Sequence, residues 1–163
     1  PGWDPKGEWD TALGDALTVT DVFFPNAAEA CRIAGTGDPK AALDALADRI
    51  PTVVVKLGAE GAIAADPTGR ARAEVPAAPA AATSHAGSAG AADGPVDTTG
   101  AGDSFAAGFL RAERAGLPLE ERLRIAVACG SLSTGALGGV AAQPTWQEAT
   151  AAAAVTTTEG SAA

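Results

Sequence analysis

The chain has 163 residues, with 11 Lys and Arg against 20 Asp and Glu, so its formal net charge is −9. This length suits one domain or a large part of one. The excess of carboxylates repels nucleic-acid phosphates and anionic lipids, and no basic run offsets it, so neither nucleic acid nor a membrane is expected as a partner.

The first part of the chain alternates helices with a strand. Residues 9–17 carry apolar side chains at helical spacing, and residues 20–24 form a short apolar run of strand character. The segment NAAEACRIAG (26–35) predicts a helix that begins with a capping box and ends at a glycine. An Asp-Pro pair then predicts the start of another helix over 38–50.

The middle of the chain has strand character. Residues 52–57 (TVVVKL) are a β-branched run without polar alternation, which is typical of a strand covered on both faces in a parallel sheet. Residues 62–65 and 70–75 flank the turn DPTG and are predicted to form a hairpin at one side of that sheet. Residues 77–94 consist mostly of small and turn-forming residues and predict a flexible loop.

The last part predicts three helices. The first is SFAAGFLRAERAG, with Phe105, Phe109 and Leu110 on one face, and the second covers 119 to about 134. After the Gly-rich bend GALGG, a capping box at 145–148 starts a helix that is predicted to end near 154, followed by a disordered tail at 155–163. The order of elements predicts an α/β layered fold and not a helical bundle.

The segment DTTGAGD (97–103) is the most informative for function. Gly100, Ala101 and Gly102 are small enough for the backbone to approach a ligand closely, and the free amides of a helix start hold an anion such as phosphate. Asp103 would repel that phosphate unless it had another task, such as taking a proton from an attacking hydroxyl. The alternative is a tight turn in which Asp103 only caps the helix.

Three motifs together resemble one family. DTTGAGDSFAAGF looks like the C-terminal signature of the ribokinase/PfkB family of carbohydrate and nucleoside kinases, PNAAE (25–29) resembles its N-x-x-E motif, and KLGAEG (56–61) resembles its nucleotide loop at a strand end. The resemblance implies an α/β, ribokinase-like layered fold with a mostly parallel central sheet flanked by helices, truncated at the N-terminus. Residues 1–154 would be the C-terminal, nucleotide-binding part of the kinase domain.

The resemblance also implies a role for the residues of the DTTGAGD segment. Asp103 would be the general base that deprotonates the acceptor hydroxyl, and the amides of Gly100, Ala101 and Gly102 would stabilise charge on the γ-phosphoryl group of ATP. Asp97, with carbonyl groups near Gly138 and Gly139, resembles the family's monovalent-cation loop, which implies K⁺ as a further cation.

The resemblance assigns nucleotide and metal contacts to the other two motifs. Asn26 and Glu29 would order the water shell of Mg²⁺, and the alternative for this pair is a capping box alone. For KLGAEG the alternative is a strand that ends in an ordinary turn. The residues expected to contact the nucleotide, including the two threonines of DTTGAGD, are Lys56, Gly58, Gly61, Thr98 and Thr99.

The function predicted from these motifs is ATP-dependent phosphorylation of a hydroxyl on a sugar or a nucleoside-like small molecule. The alternative is a non-catalytic, truncated nucleotide-binding or interaction module. Since a ribokinase-like domain has about 300 residues, we expect this chain to be incomplete alone and to form a homodimer or pair with a complementing N-terminal half. Cys31 and Cys129 have no metal-ligand spacing, and no signal peptide is recognised, so we expect a cytoplasmic protein without zinc.

Overall fold

The computed structural model describes residues 9–67, 72–75 and 97–159. The chain divides into two compact units, one of residues 1–58 and 63–73 and the other of residues 59–62 and 74–163. In chain order the elements are α1 (Trp9–Leu17), β1 (Val22–Phe23), α2 (Ala27–Ala34), α3 (Pro39–Ala47), β2 (Thr52–Lys56), a 3₁₀ turn (Gly58–Glu60), β3 (Ala62–Ala65), β4 (Arg72–Val75), α4 (Ala101–Arg114), α5 (Leu119–Ser133) and α6 (Trp146–Glu159).

The four strands form one sheet in the order β1-β2-β3-β4. β1 and β2 are parallel, with Val22 opposite Thr52 and Phe23 opposite Val53. The links from β2 to β3 and from β3 to β4 are far shorter than the dozen or more residues that a parallel crossover needs, so these pairs are hairpins. The described sheet is therefore mixed, and the α/β class and the predicted hairpin are confirmed.

The core of the first unit lies between α2, α3 and the sheet. β2 is buried along Thr52 to Val55, as expected for a strand covered on both faces. Removing these branched side chains from water is the main stabilising contribution, at about 25 cal/mol per Å² of apolar area. The buried core residues are Leu17, Ala30, Ala42, Leu43, Leu46, Ile50, Val53, Val55, Ile63 and Ala65.

The second unit is a set of three helices in which α4 and α6 both pack on α5. Phe105 and Phe109 are buried, as their helical spacing predicts. The prediction that Leu110 shares their face is wrong, because it is 40% exposed. Consecutive residues lie about 100° apart around a helix, which turns Leu110 away from the side that Phe109 buries.

Local signals in the sequence mark several helix ends. α2 begins at the Asn26–Glu29 capping box and ends at Gly35 in the left-handed conformation, and Asp38 caps α3 as predicted. α3 ends at Ala47, earlier than the predicted residue 50, and α6 continues to Glu159, beyond the predicted end near 154. The predicted loop at 77–94 and residues 160–163 lie outside the described residues.

Within the described ranges, no helix combines the length and the apolar character needed to cross a membrane.

Candidate active site

The DTTGAGD segment forms a turn that leads directly into α4. Gly100 takes the N-cap position with φ 76° and ψ −1°, a left-handed conformation that favours glycine. The Ala101 amide donates to the Thr98 carbonyl at 3.2 Å, whereas no side chain caps the helix. In the described part of the chain the Gly102 and Asp103 amides therefore have no acceptor, which is the arrangement that holds an anion at a helix start.

Asp103 lies in the first turn of α4 and its side chain is exposed. The alternative interpretation, in which Asp103 caps the helix, is wrong because the helix begins at Ala101 and the cap is Gly100. A first-turn carboxylate interacts favourably with the helix dipole. Among the described residues this carboxylate has no hydrogen bond or ion pair, so both of its oxygens remain open to solvent.

Asp97 connects the start of this segment to the Gly-rich bend after α5. Its Oδ1 accepts from the Thr99 amide at 2.8 Å, and its Oδ2 accepts from the Gly138 amide at 2.8 Å, across 41 residues of sequence. The Asp97 amide donates to the Thr134 carbonyl at 3.3 Å. Hydrogen bonds from the Thr99 side chain and backbone and from the Gly138 amide hold the pKa of Asp97 below its ordinary value.

The two glycine-containing segments are also in close backbone contact. A Cβ at Gly100 would lie 2.7 Å from the Gly139 carbonyl oxygen, and one at Gly139 would lie 3.3 Å from the Thr99 carbonyl oxygen. Gly138 adopts a φ of 84°. The family resemblance implied that Asp97 lies near the carbonyl groups of Gly138 and Gly139. In the structure the direct contact is a hydrogen bond from the Gly138 amide to Asp97.

Two polar residues near this segment were not singled out from the sequence. Ser104 is 7% exposed, and its hydroxyl has no hydrogen-bond partner in the described structure. Gln143 donates from Nε2 to the Gly139 carbonyl at 3.3 Å. Neither residue carries a sequence signal, because the burial of Ser104 depends on how α4 packs and the Gln143 contact depends on how the bend folds.

In the first unit, Asn26 and Glu29 form a reciprocal capping box. The Glu29 amide donates to Asn26 Oδ1 at 2.8 Å, and the Asn26 amide donates to Glu29 Oε2 at 2.9 Å. The capping interpretation is therefore confirmed. One Glu29 oxygen is left for water, which suits a Mg²⁺ ion gripped through its hydration shell. In the residues that the structure describes, no cluster of three or more His, Cys, Asp or Glu side chains is arranged as a metal site.

Lys56 ends β2 beside the start of α2. Asn26 and Lys56 form a parallel bridge, and the Lys56 amide donates to the Pro25 carbonyl at 2.9 Å. Gly58 opens the 3₁₀ turn with φ 64°, and Gly61 follows it with φ 90°. The strand does end in a turn, as the alternative interpretation predicted. Both glycines have positive φ values that other residues rarely adopt.

The structure thus brings the predicted residues together in two groups. In the first unit Asn26, Glu29 and Lys56 lie at the adjacent carboxyl ends of β1 and β2, where ligands bind in open α/β sheets. In the second unit the residues from Asp97 to Asp103 contact the Gly-rich bend.

Together these features define an α/β protein with a phosphate-type loop and an exposed carboxylate at one helix start. The pfkB family carbohydrate kinase model matches residues 3–146, so the chain belongs to that family.

Known relatives agree with this assignment. The ATP-dependent ribose-1-phosphate kinase of Halopiger xanaduensis is 37% identical over 129 residues, which cover 79% of this chain and 38% of the relative. A fructokinase of Vibrio cholerae O395, solved with fructose, ADP and calcium, is 31% identical with a TM-score of 0.67, over 91% of this chain and 45% of its own. Arabidopsis thaliana ribokinase, solved with ribose and ATP, is 30% identical with a TM-score of 0.67, over 84% and 42%.

The chain therefore spans less than half the length of these relatives.

Proposed function

We propose that the protein carrying this chain transfers the γ-phosphoryl group of ATP to a hydroxyl of a sugar or a related small molecule. The observation that carries this proposal is the start of α4, where unclaimed amides and an exposed Asp103 carboxylate lie within one helical turn. Membership of a carbohydrate kinase family supports it, as do relatives named for ribose 1-phosphate and fructose.

Asp103 accepts the proton of the acceptor hydroxyl while the hydroxyl oxygen forms a bond to the γ-phosphorus. The bond between the γ-phosphorus and the bridging oxygen breaks, and ADP leaves with that electron pair. Backbone amides at Gly100 and Gly102 stabilise the charge on the phosphoryl oxygens during transfer, which is the main source of rate in this chemistry. The Ala101 amide, expected from the resemblance to join them, already donates to the Thr98 carbonyl at 3.2 Å.

The remaining motif residues bind the nucleotide and its cations in this proposal. Thr98 and Thr99 contact the phosphates. Lys56, Gly58 and Gly61 contact the nucleotide, and Asn26 and Glu29 hold water around Mg²⁺, which neutralises phosphate charge when bound. The Asp97 carboxylate and nearby carbonyl oxygens would be the oxygen ligands of K⁺.

The test is an ADP-release assay on the intact protein with a panel of sugars and nucleosides. Asp103→Asn should lower turnover by at least about 10²-fold, because the amide cannot take the proton. ATP affinity should change little. The matched control is Glu121→Gln, which alters another exposed first-turn carboxylate of the same unit, at the start of α5.

Two results would overturn the catalytic assignment: turnover that Asp103→Asn leaves intact, or a loss that the Glu121→Gln control shares. Nucleotide binding without turnover on any acceptor would instead favour a non-catalytic nucleotide-binding module. We also propose a cytoplasmic location, which the two free cysteines support.

A further inference from the structure

The Gly-rich bend of residues 135–139 and Thr134, which precedes it, are held to the DTTGAGD segment by three contacts. Asp97 Oδ2 accepts the Gly138 amide at 2.8 Å. The Asp97 amide donates to Thr134 at 3.3 Å, at the base of the bend. The Gly139 carbonyl lies so close to Gly100 that a Cβ there would be only 2.7 Å away.

One side chain joins both sides of this contact. Asp97 Oδ1 accepts the Thr99 amide at 2.8 Å while Oδ2 reaches Gly138, so a single carboxylate fixes the two backbone segments relative to each other. Charge-assisted hydrogen bonds of this kind are about twice as strong as neutral ones. The residue that follows Thr99 is Gly100, whose left-handed conformation sets the direction of the free amides of α4.

We infer that Asp97 is a positioning residue, which clamps the Gly138–Gly139 bend against Gly100 and so makes that bend part of the phosphate-binding loop. This inference rests on the proposed function and assigns to Asp97 a role that requires no bound cation. The clamp determines where the Gly102 and Asp103 amides point, although Asp97 does not itself touch the phosphate.

An isosteric substitution separates the clamp from general stability. Asp97→Asn keeps one oxygen for the Thr99 amide but presents an NH₂ group to the Gly138 amide, so the bridge to the bend is lost. Glu148→Gln is the matched control, because Glu148 Oε2 also accepts a backbone amide, that of Thr145, at 2.7 Å in the same unit. That carboxylate caps α6 and makes no contact with the bend in the described structure.

The first measurement is binding of Mg·ATP and of adenosine to the intact protein by calorimetry in K⁺-free buffer. Asp97→Asn should weaken ATP binding by about 10-fold or more, since losing a charge-assisted hydrogen bond releases the bend from Gly100. Adenosine, which lacks phosphate, should bind as before. Glu148→Gln should leave both affinities within about 2-fold of the wild type.

The second measurement reports the clamp without any ligand. Amide exchange at Gly138 and Thr99 should accelerate in Asp97→Asn and stay unchanged in Glu148→Gln. Gly139→Val tests the same contact from the bend side, because a Cβ at this position would already lie 3.3 Å from the Thr99 carbonyl. It should shift the Thr99 and Gly100 amide resonances and weaken ATP binding, which keeps the test open if Asp97→Asn fails to fold.

The outcomes distinguish the two proposals. A wild-type protein that binds neither ATP nor adenosine would overturn the proposed function, and exchange at Gly138 and Thr99 that fails to accelerate in Asp97→Asn would overturn the clamp. A wild-type protein that binds ATP, with unchanged affinity in Asp97→Asn and Gly139→Val, would overturn the positioning role. Equal losses for ATP and adenosine would also overturn it, since they indicate general destabilisation.

Discussion

At the scale of single residues, Gly100 combines two requirements that glycine alone meets. Its φ of 76° is left-handed, and its Cα lies against the Gly139 backbone. Gly116 shares the positive φ, at 73°, but a Cβ there would meet nothing within 4 Å. The pair therefore allows backbone strain to be separated from close contact.

We predict that Gly100→Ala destabilises the protein more than Gly116→Ala does. Both variants carry the conformational cost of about 1–2 kcal/mol for a left-handed residue. Gly100→Ala adds an overlap with rigid backbone, which should cost at least about 1 kcal/mol more. Urea denaturation measures both variants, and equal losses would show that the Gly100–Gly139 contact carries no energy.

The two cysteines differ in exposure, and their chemistry should differ accordingly. Burial raises the pKa of the Cys129 thiol to about 11, whereas Cys31 is only partly buried. Because the thiolate is the reactive form, we predict that iodoacetamide labels Cys31 first at neutral pH and that Cys129 reacts only on unfolding. Labelling of Cys129 as fast as Cys31 in the folded protein would contradict this.

Cys129 also makes stability depend on alkaline pH. Its folded pKa lies above the unfolded value of 9.0, so between pH 9 and about 11 the folded chain holds a proton that the unfolded chain has released. The free energy of unfolding should therefore fall as pH rises through this range. We expect Cys129→Ala to reduce this slope in urea titrations, and an unchanged slope would assign it to other groups.

At the scale of elements, the α4–α5 contact depends on a glycine facing that same cysteine. A Cβ at Gly108 would lie 2.6 Å from Cys129 Sγ. Gly108→Ala should destabilise by about 1–3 kcal/mol through overpacking. Adding Cys129→Ala removes the Sγ but keeps the Cβ, which would lie 3.0 Å away, so it should restore part of the loss. The control Gly14→Ala in α1 meets open space and should stabilise slightly. Thermal melts of the wild type, Gly14→Ala, Gly108→Ala, Cys129→Ala and the double variant test this, and additive losses in the double variant would refute the contact.

The capping box of α2 can be separated from the proposed Mg²⁺ role. Serine is also a good N-cap residue, so Asn26→Ser should change the free energy of unfolding by less than about 0.5 kcal/mol. Its shorter side chain should still raise the Mg²⁺ concentration needed for half-maximal ATP binding. A Mg²⁺ requirement equal to that of the wild type would leave Asn26 with its capping role alone.

Elements with local signals could be predicted from the sequence, and contacts between distant backbone groups could not. Neighbouring residues in the sequence determine the bounds of α1 and β3, and they also determine the caps of α2 and α3. The N-cap at Gly100 was missed, because a left-handed cap without a side-chain bond resembles a turn that precedes the helix. Only the family resemblance associated Asp97 with the bend. The donor at Gly138 is a backbone amide, which every residue except proline has, so the residue type does not reveal the contact.

At the scale of the whole molecule, β1 is the notable feature, because it is an edge of the sheet among the described strands. Val19, just before it, is 82% exposed. Unpaired edges favour strand pairing with another chain, so we predict that this chain expressed alone associates in a concentration-dependent manner. Light scattering across a dilution series tests this, and a monomer at every concentration would contradict it.

The hydrogen bond between Asp97 and Gly138 also bears on how the loop acquires its shape. Bringing together two points 41 residues apart has an entropic cost that grows with the logarithm of the separation, and in the native chain the pairing of α4 with α5 holds these points near each other. A short synthetic peptide of the DTTGAGDSFAAGF segment should therefore sample many conformations and bind phosphate poorly. The segment therefore depends on the pairing of α4 with α5 for its geometry, and we expect it to bind an anion only when those helices are paired.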